Sequence, residues 1–180
     1  MIGIQEKIRK NSKRMTIIFK MLSIALIVGL IIPIATLIWI AVNPNAYLSL
    51  TNGWGFYSTT GKELLSIGEV KAEMYTIIAS GLLFLSMFLK AYSMFRTIST
   101  DLAPFSKANA IILKHIGIIL IVYDIVIPII RLGVYRSFAP EINMNSSIDA
   151  PYVVLSFLFF FIAMLFDYGA ELQRESDELL

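Results

Sequence analysis

Cysteine is absent from the chain, and histidine occurs once, at position 115. Those two gaps exclude disulfides, thiolate metal sites, iron–sulfur clusters and a cysteine nucleophile, and they leave any serine enzyme a single residue to serve as its base. Charge is scarce too. Only 16% of the 180 residues are Asp, Glu, Lys or Arg, against 57% that are hydrophobic. A chain this short has no core large enough to hide that much apolar surface, so the solvent for most of it is lipid. No internal repeat or low-complexity segment marks a second domain, and the expectation is one membrane domain over residues 1–180.

What is present is four long apolar runs. The first, Met15 to Val42, follows the basic cluster Lys7, Arg9, Lys10, Lys13 and Arg14 and is interrupted by Lys20, Ser23, Pro33 and Thr36. At about 1.5 Å per residue it exceeds a hydrocarbon core about 30 Å thick. It is also longer than the apolar segment of a signal peptide, and Asn43-Pro44-Asn45 follows it, so it reads as a retained anchor. Further spans are expected at about 74–95, 110–132 and 151–168. The turn formers Asn52-Gly53-Trp54-Gly55 break the chain after the first span, and a short surface helix is expected from Glu63 to Val70. Residues 97–107 form a connector, Gly133 to Ala150 a polar loop, and the end from Gly169 an acidic tail. The fold class is therefore all-α: a polytopic four-transmembrane-helix bundle with a short cytoplasmic connector and an acidic C-terminal tail.

Orientation follows from the basic residues beside the span ends. Lys7, Arg9, Lys10, Lys13, Arg14, Lys20, Lys90, Arg96, Lys107, Lys114 and Arg174 fall on the side of the N-terminus, and only Lys62, Lys71, Arg131 and Arg136 on the other. Both termini are thus expected in the cytoplasm, with the chain multi-pass in the plasma membrane.

Polar residues inside spans are the candidates for chemistry. Asp124 lies near the middle of the third span; Arg131 is two turns further along the same face, where its charge favours ionised Asp124. Pro128 has no N–H to give the carbonyl of Asp124. The arrangement suits a cation, a proton relay or an interhelical hydrogen bond, and it equally suits a structural carboxylate that caps a kink and ties helices together. Lys114 and His115, near the start of that helix, are within reach of lipid phosphates. His115 and Asp124 are nine residues apart and so on opposite helix faces. The patterns H-E-x-x-H and G-x-S-x-G are absent. No enzyme, cofactor, catalytic residue or metal site is expected, and no direct nucleic-acid binding. The small-xxx-small pair Ala25 and Gly29 in the first span reads as structural.

Two stretches flank the membrane on the cytoplasmic side. In Pro104-Phe105-Ser106 the Ser106 hydroxyl is placed to cap the third helix. In the tail, Glu171, Glu175 and Glu178 share one helical face, either as a solvated extension or as a docking surface. Together, Pro104-Phe105-Ser106-x-x-Asn109 and Tyr168-Gly169-x-x-Leu172-Gln173-x-Glu175-x-Asp177 resemble a bacterial membrane family catalogued as domain of unknown function 2975 (DUF2975). The chain departs from the family at Leu179, where similar proteins often carry threonine. Members are often encoded beside a small helix-turn-helix DNA-binding protein, so the resemblance implies a membrane partner that holds such a regulator. On that reading Pro104, Phe105, Ser106, Asn109, Glu171, Gln173, Glu175 and Asp177 are the partner-binding candidates. A transporter, channel or self-protection protein acting through Asp124 is the rival of a different class, and a structural subunit of a membrane complex is the third.

Overall fold

The computed structural model describes residues 2–43, 66–141 and 151–178. Within them lie four helices: α1 (Ile2–Val42), α2 (Ile67–Asp101), α3 (Lys107–Phe138) and α4 (Pro151–Glu178). All four are long and apolar enough to cross a membrane, as suits a multi-pass membrane protein. The aromatic-rich stretch around Trp54 and most of the loop before Pro151 lie outside the described residues.

Helix ends follow local chemistry more than hydropathy. Ser66 and Glu69 form a capping box: the Glu69 amide donates to Ser66 Oγ at 3.1 Å and the Ser66 amide to Glu69 Oε2 at 3.0 Å. Residues 67–70 are therefore the first turn of α2 and no separate surface helix, whereas Glu63 itself is outside the described residues. The α3 helix runs through Pro128 and Gly133 to Phe138, so Gly133 to Phe138 is helix where a loop was expected. Arg136 in the last turn complements the negative end of the helix dipole. The acidic tail from Gly169 continues α4 as helix to Glu178, the extension that the helical spacing of its glutamates allowed. Inside α1, the hydroxyls of Thr16, Ser23 and Thr36 donate to the carbonyls four residues earlier at 2.8–2.9 Å, which settles them without a partner helix.

Contacts divide the chain into two compact units. The first comprises Met1–Ala25, Phe84–Asp124 and Ala150–Leu180. Its interior is built by Met94, Ile98, Leu113 and Ala163, with Ile8, Phe159 and Phe166 against them, and by Ala91, Ile116 and Leu120, with Phe19 and Tyr152 against those. The second comprises Leu26–Leu83 and Ile125–Asp149. There Ile40 of α1 packs on Val70 and Met74 of α2, and Ala72 of α2 packs on Tyr135 and Ala139. Gly68 makes the second unit possible. A Cβ on it would collide with the Phe138 carbonyl, so only glycine lets the start of α2 approach the end of α3 this closely. In lipid such close packing and interhelical hydrogen bonds replace the hydrophobic effect as the force between helices.

Candidate functional site

Two groups of polar side chains and one surface stand out, each within a single unit. In the first unit Asp124 is 4% exposed, and its Oδ2 accepts the Val153 amide at 2.8 Å. Val153 belongs to the first turn of α4, whose amides have no partner within the helix. The carboxylate therefore acts as a cap supplied by a neighbouring helix, and the positive end of the α4 dipole offsets its charge. Around it Phe84, Tyr123 and Tyr152 form an aromatic cluster with ring centroids 4.9–6.2 Å apart. Tyr123 immediately precedes Asp124 and Tyr152 immediately precedes Val153, so the ring cluster and the cap join the same two helices.

Arg131 does not serve Asp124. In the second unit its guanidinium reaches Glu73 of α2, with Nη2 3.4 Å from Oε2. The Tyr135 hydroxyl donates to the same oxygen at 3.0 Å, and the Arg131 guanidinium lies 5.7 Å from the Tyr135 ring centroid. Glu73 is 0% exposed, Tyr135 3% and Arg131 25%. A shared helix face seven residues apart could not compete with a carboxylate facing Arg131 directly from α2. Glu73 is the residue that reading the chain one helix at a time overlooked. Its signal was there, because a glutamate one residue before an apolar run of that length needs a counter-charge.

His115 is exposed, and Lys114 Nζ lies 3.5 Å from Asp167 Oδ2 in a half-exposed pair. Such a pair contributes at most about 1 kcal/mol. Among the described residues no three His, Asp or Glu side chains converge to hold a metal ion.

The connector between α2 and α3 is built tightly. Leu102 closes α2 in the left-handed region at φ 55°, with its amide on the Ile98 carbonyl at 3.2 Å. A leucine in that region costs about 1–2 kcal/mol, which the surrounding contacts must supply. Ser106 Oγ accepts the Asn109 amide at 3.2 Å and caps α3. Asn109 is 0% exposed, and its Nδ2 donates to the Pro104 carbonyl at 3.0 Å and the Ala103 carbonyl at 3.4 Å, locking the turn. Phe105, held by this turn, meets the Phe166 ring edge-on at 5.3 Å. It also fills the space beside Gly169, where a Cβ would come within 2.8 Å of the ring. Gly169 is thus not a helix terminator but a seat for Phe105.

The connector motif and the start of the tail motif are therefore in contact. Beyond Gly169, α4 presents Leu172, Glu171, Gln173, Glu175 and Glu178 exposed, with Arg174 bound along the helix to Glu171 and Glu178 at 3.6 Å each. The side chain of Asp177 lies outside the described residues. No protein-family model, curated protein or solved structure matches the chain.

Proposed function

We propose that the chain is a non-enzymatic, multi-pass protein of the plasma membrane, with both ends in the cytoplasm, that holds a small helix-turn-helix regulator on the surface made by the connector and the end of α4. The observation that carries this reading is the seating of Phe105 on Phe166 and Gly169, which brings the connector against the start of the tail stretch. The connector is rigid, because Asn109 and Ser106 fix the turn that presents Phe105. Further along α4, on the side away from Gly169, the exposed carboxylates of Glu175 and of Glu171 and Glu178, which share Arg174, offer what the basic surface of a DNA-binding protein seeks in phosphates. The partner is held off DNA while it is bound at the membrane.

The test is a pull-down of the tagged full chain from detergent-solubilised membranes of its host. A small basic protein is expected to co-purify, and deletion of residues 171–180 is expected to release it to the soluble fraction. Unchanged co-purification after the deletion overturns the reading. In the rival that works through Asp124, the carboxylate would act while its Oδ2 accepts the Val153 amide.

A further inference from the structure

The basic residues at the start of α1 are not spread around the helix. Ile8 packs against the interior of the first unit and Ser12 is buried, whereas Lys7, Arg9, Lys10, Lys13, Arg14 and Lys20 are all exposed. At 3.6 residues per turn, the basic positions occupy the side of the helix turned away from Ile8 and Ser12. After Arg14 the exposed face begins to turn apolar, with Met15, Ile17 and Ile18 exposed by 43–59%. The outward face thus passes from cationic to apolar over the turns between Arg14 and Lys20, its last cation, on a helix fit to cross a membrane, and the headgroup layer lies along that stretch.

A second helix supplies charge at the same level. Phe19 of α1 stacks on Phe95 of α2 with centroids 5.5 Å apart and planes 9° from parallel. Lys20 and Arg96 are the next residues after these two rings, and both are exposed. Two cations on long stems, one from each helix, therefore lie near the level of this aromatic pair and can extend to the headgroup layer. Lys13 and Arg14 stand six to seven residues nearer the N-terminus than Lys20, about 9–10.5 Å along the axis. The headgroup layer on each side of the core is about 5–7 Å thick, so their side chains reach it from its outer edge.

We infer that Lys13, Arg14, Lys20 and Arg96 form a binding surface for the phosphate groups of anionic phospholipids. Charge complementarity and location choose the occupant: four cations on an outward face at the polar–apolar boundary meet lipid headgroups before any soluble anion. Lys20 and Arg96 take the phosphate from the side of the core, and Lys13 and Arg14 take it from the side of water. The surface selects for net negative lipid, because a zwitterionic headgroup returns its own cation to the same place.

The full chain in phosphatidylcholine nanodiscs containing a fraction of phosphatidylglycerol tests this, with the annular lipid counted by native mass spectrometry. The wild type is expected to enrich phosphatidylglycerol. Lys13→Gln with Arg14→Gln is expected to weaken that preference about thirtyfold, the equivalent of about 2 kcal/mol for two near-surface cations. Lys13→Arg with Arg14→Lys keeps the charges and the preference. Lys71→Gln with Arg136→Gln, in the other unit, removes the same charge and leaves the preference intact. Equal losses in the two charge-removing pairs mean that only net charge counts and overturn the inference. So does stabilisation of the detergent-solubilised protein by inorganic phosphate as strong as that by phosphatidylglycerol, which would make the site one for free phosphate.

Discussion

Among the described residues the first unit buries the carboxylate Asp124 and the second buries Glu73 as well as the capping Glu69, and Asp124 and Glu73 are satisfied by opposite means. Asp124 in the first unit is met by a backbone amide at the start of a helix. Glu73 in the second is met by two side chains, a guanidinium and a phenol, that lie 58 and 62 residues further along the chain. A backbone amide is available whatever residue occupies position 153, proline excepted, so the Asp124 contact makes no demand on sequence there. Each of the Glu73 contacts is lost if its own partner changes type. The first arrangement places a helix end; the second welds α2 to α3 through a particular trio.

The sharpest way to break this contrast is to remove the cation. Arg131→Gln takes the guanidinium from a carboxylate with 0% exposure, and loss of one member of a buried pair typically costs about 3–5 kcal/mol. The quarter exposure of Arg131 places the expected cost near the lower end, about 3 kcal/mol. Equilibrium unfolding in mixed micelles measures it. Adding Glu73→Gln is expected to return most of the loss, since the damage comes from the charge left behind and not from missing contacts. A double variant as unstable as the single would show that Arg131 matters by packing.

A smaller effect separates acceptor from charge at the other carboxylate. Asp124→Ala leaves the part-buried Val153 amide without its acceptor, at a cost of about 2 kcal/mol. Asp124→Asn keeps an oxygen at the same place and should recover more than half of that loss. If Asn is as damaging as Ala, the charge itself is needed, and the capping account of Asp124 gives way to one in which the carboxylate works as an ion.

These two residues also show how far the chain could be read unaided. Asp124 was visible because an acid in the middle of an apolar run has no neighbour to excuse it, but its partner was not, because amides carry no letter. Arg131 was visible and paired with the wrong acid, since spacing along one helix says nothing about the helix beside it. The four apolar helices were legible from composition, and so was the Ser106 cap, whose chemistry is local. Helix ends were not. Gly133 and Gly169 look like terminators, yet α3 and α4 pass through both. Gly169 is needed to admit the Phe105 ring, a long-range reason; no contact explains Gly133. Ser66-Ile67-Gly68-Glu69 spells a capping box and would have placed the start of α2, had local chemistry been weighed above the onset of hydropathy.

The finest test asks how the Glu73 trio divides its work. Tyr135→Phe removes one hydroxyl that donates at 3.0 Å and keeps the ring. The ring still packs on Ala72 and Ala139 and still lies beside the Arg131 guanidinium, and Glu73 retains that guanidinium. The expected loss is therefore that of one hydrogen bond with its acceptor still served, about 1 kcal/mol. Measured in the Arg131→Gln background, the same substitution should cost more, because, of that guanidinium and phenol, the phenol is then the one that remains. A coupling energy of about zero between the two substitutions would mean that Arg131 and Tyr135 bind Glu73 independently, and the second unit would then be held by two separate contacts and not by a trio.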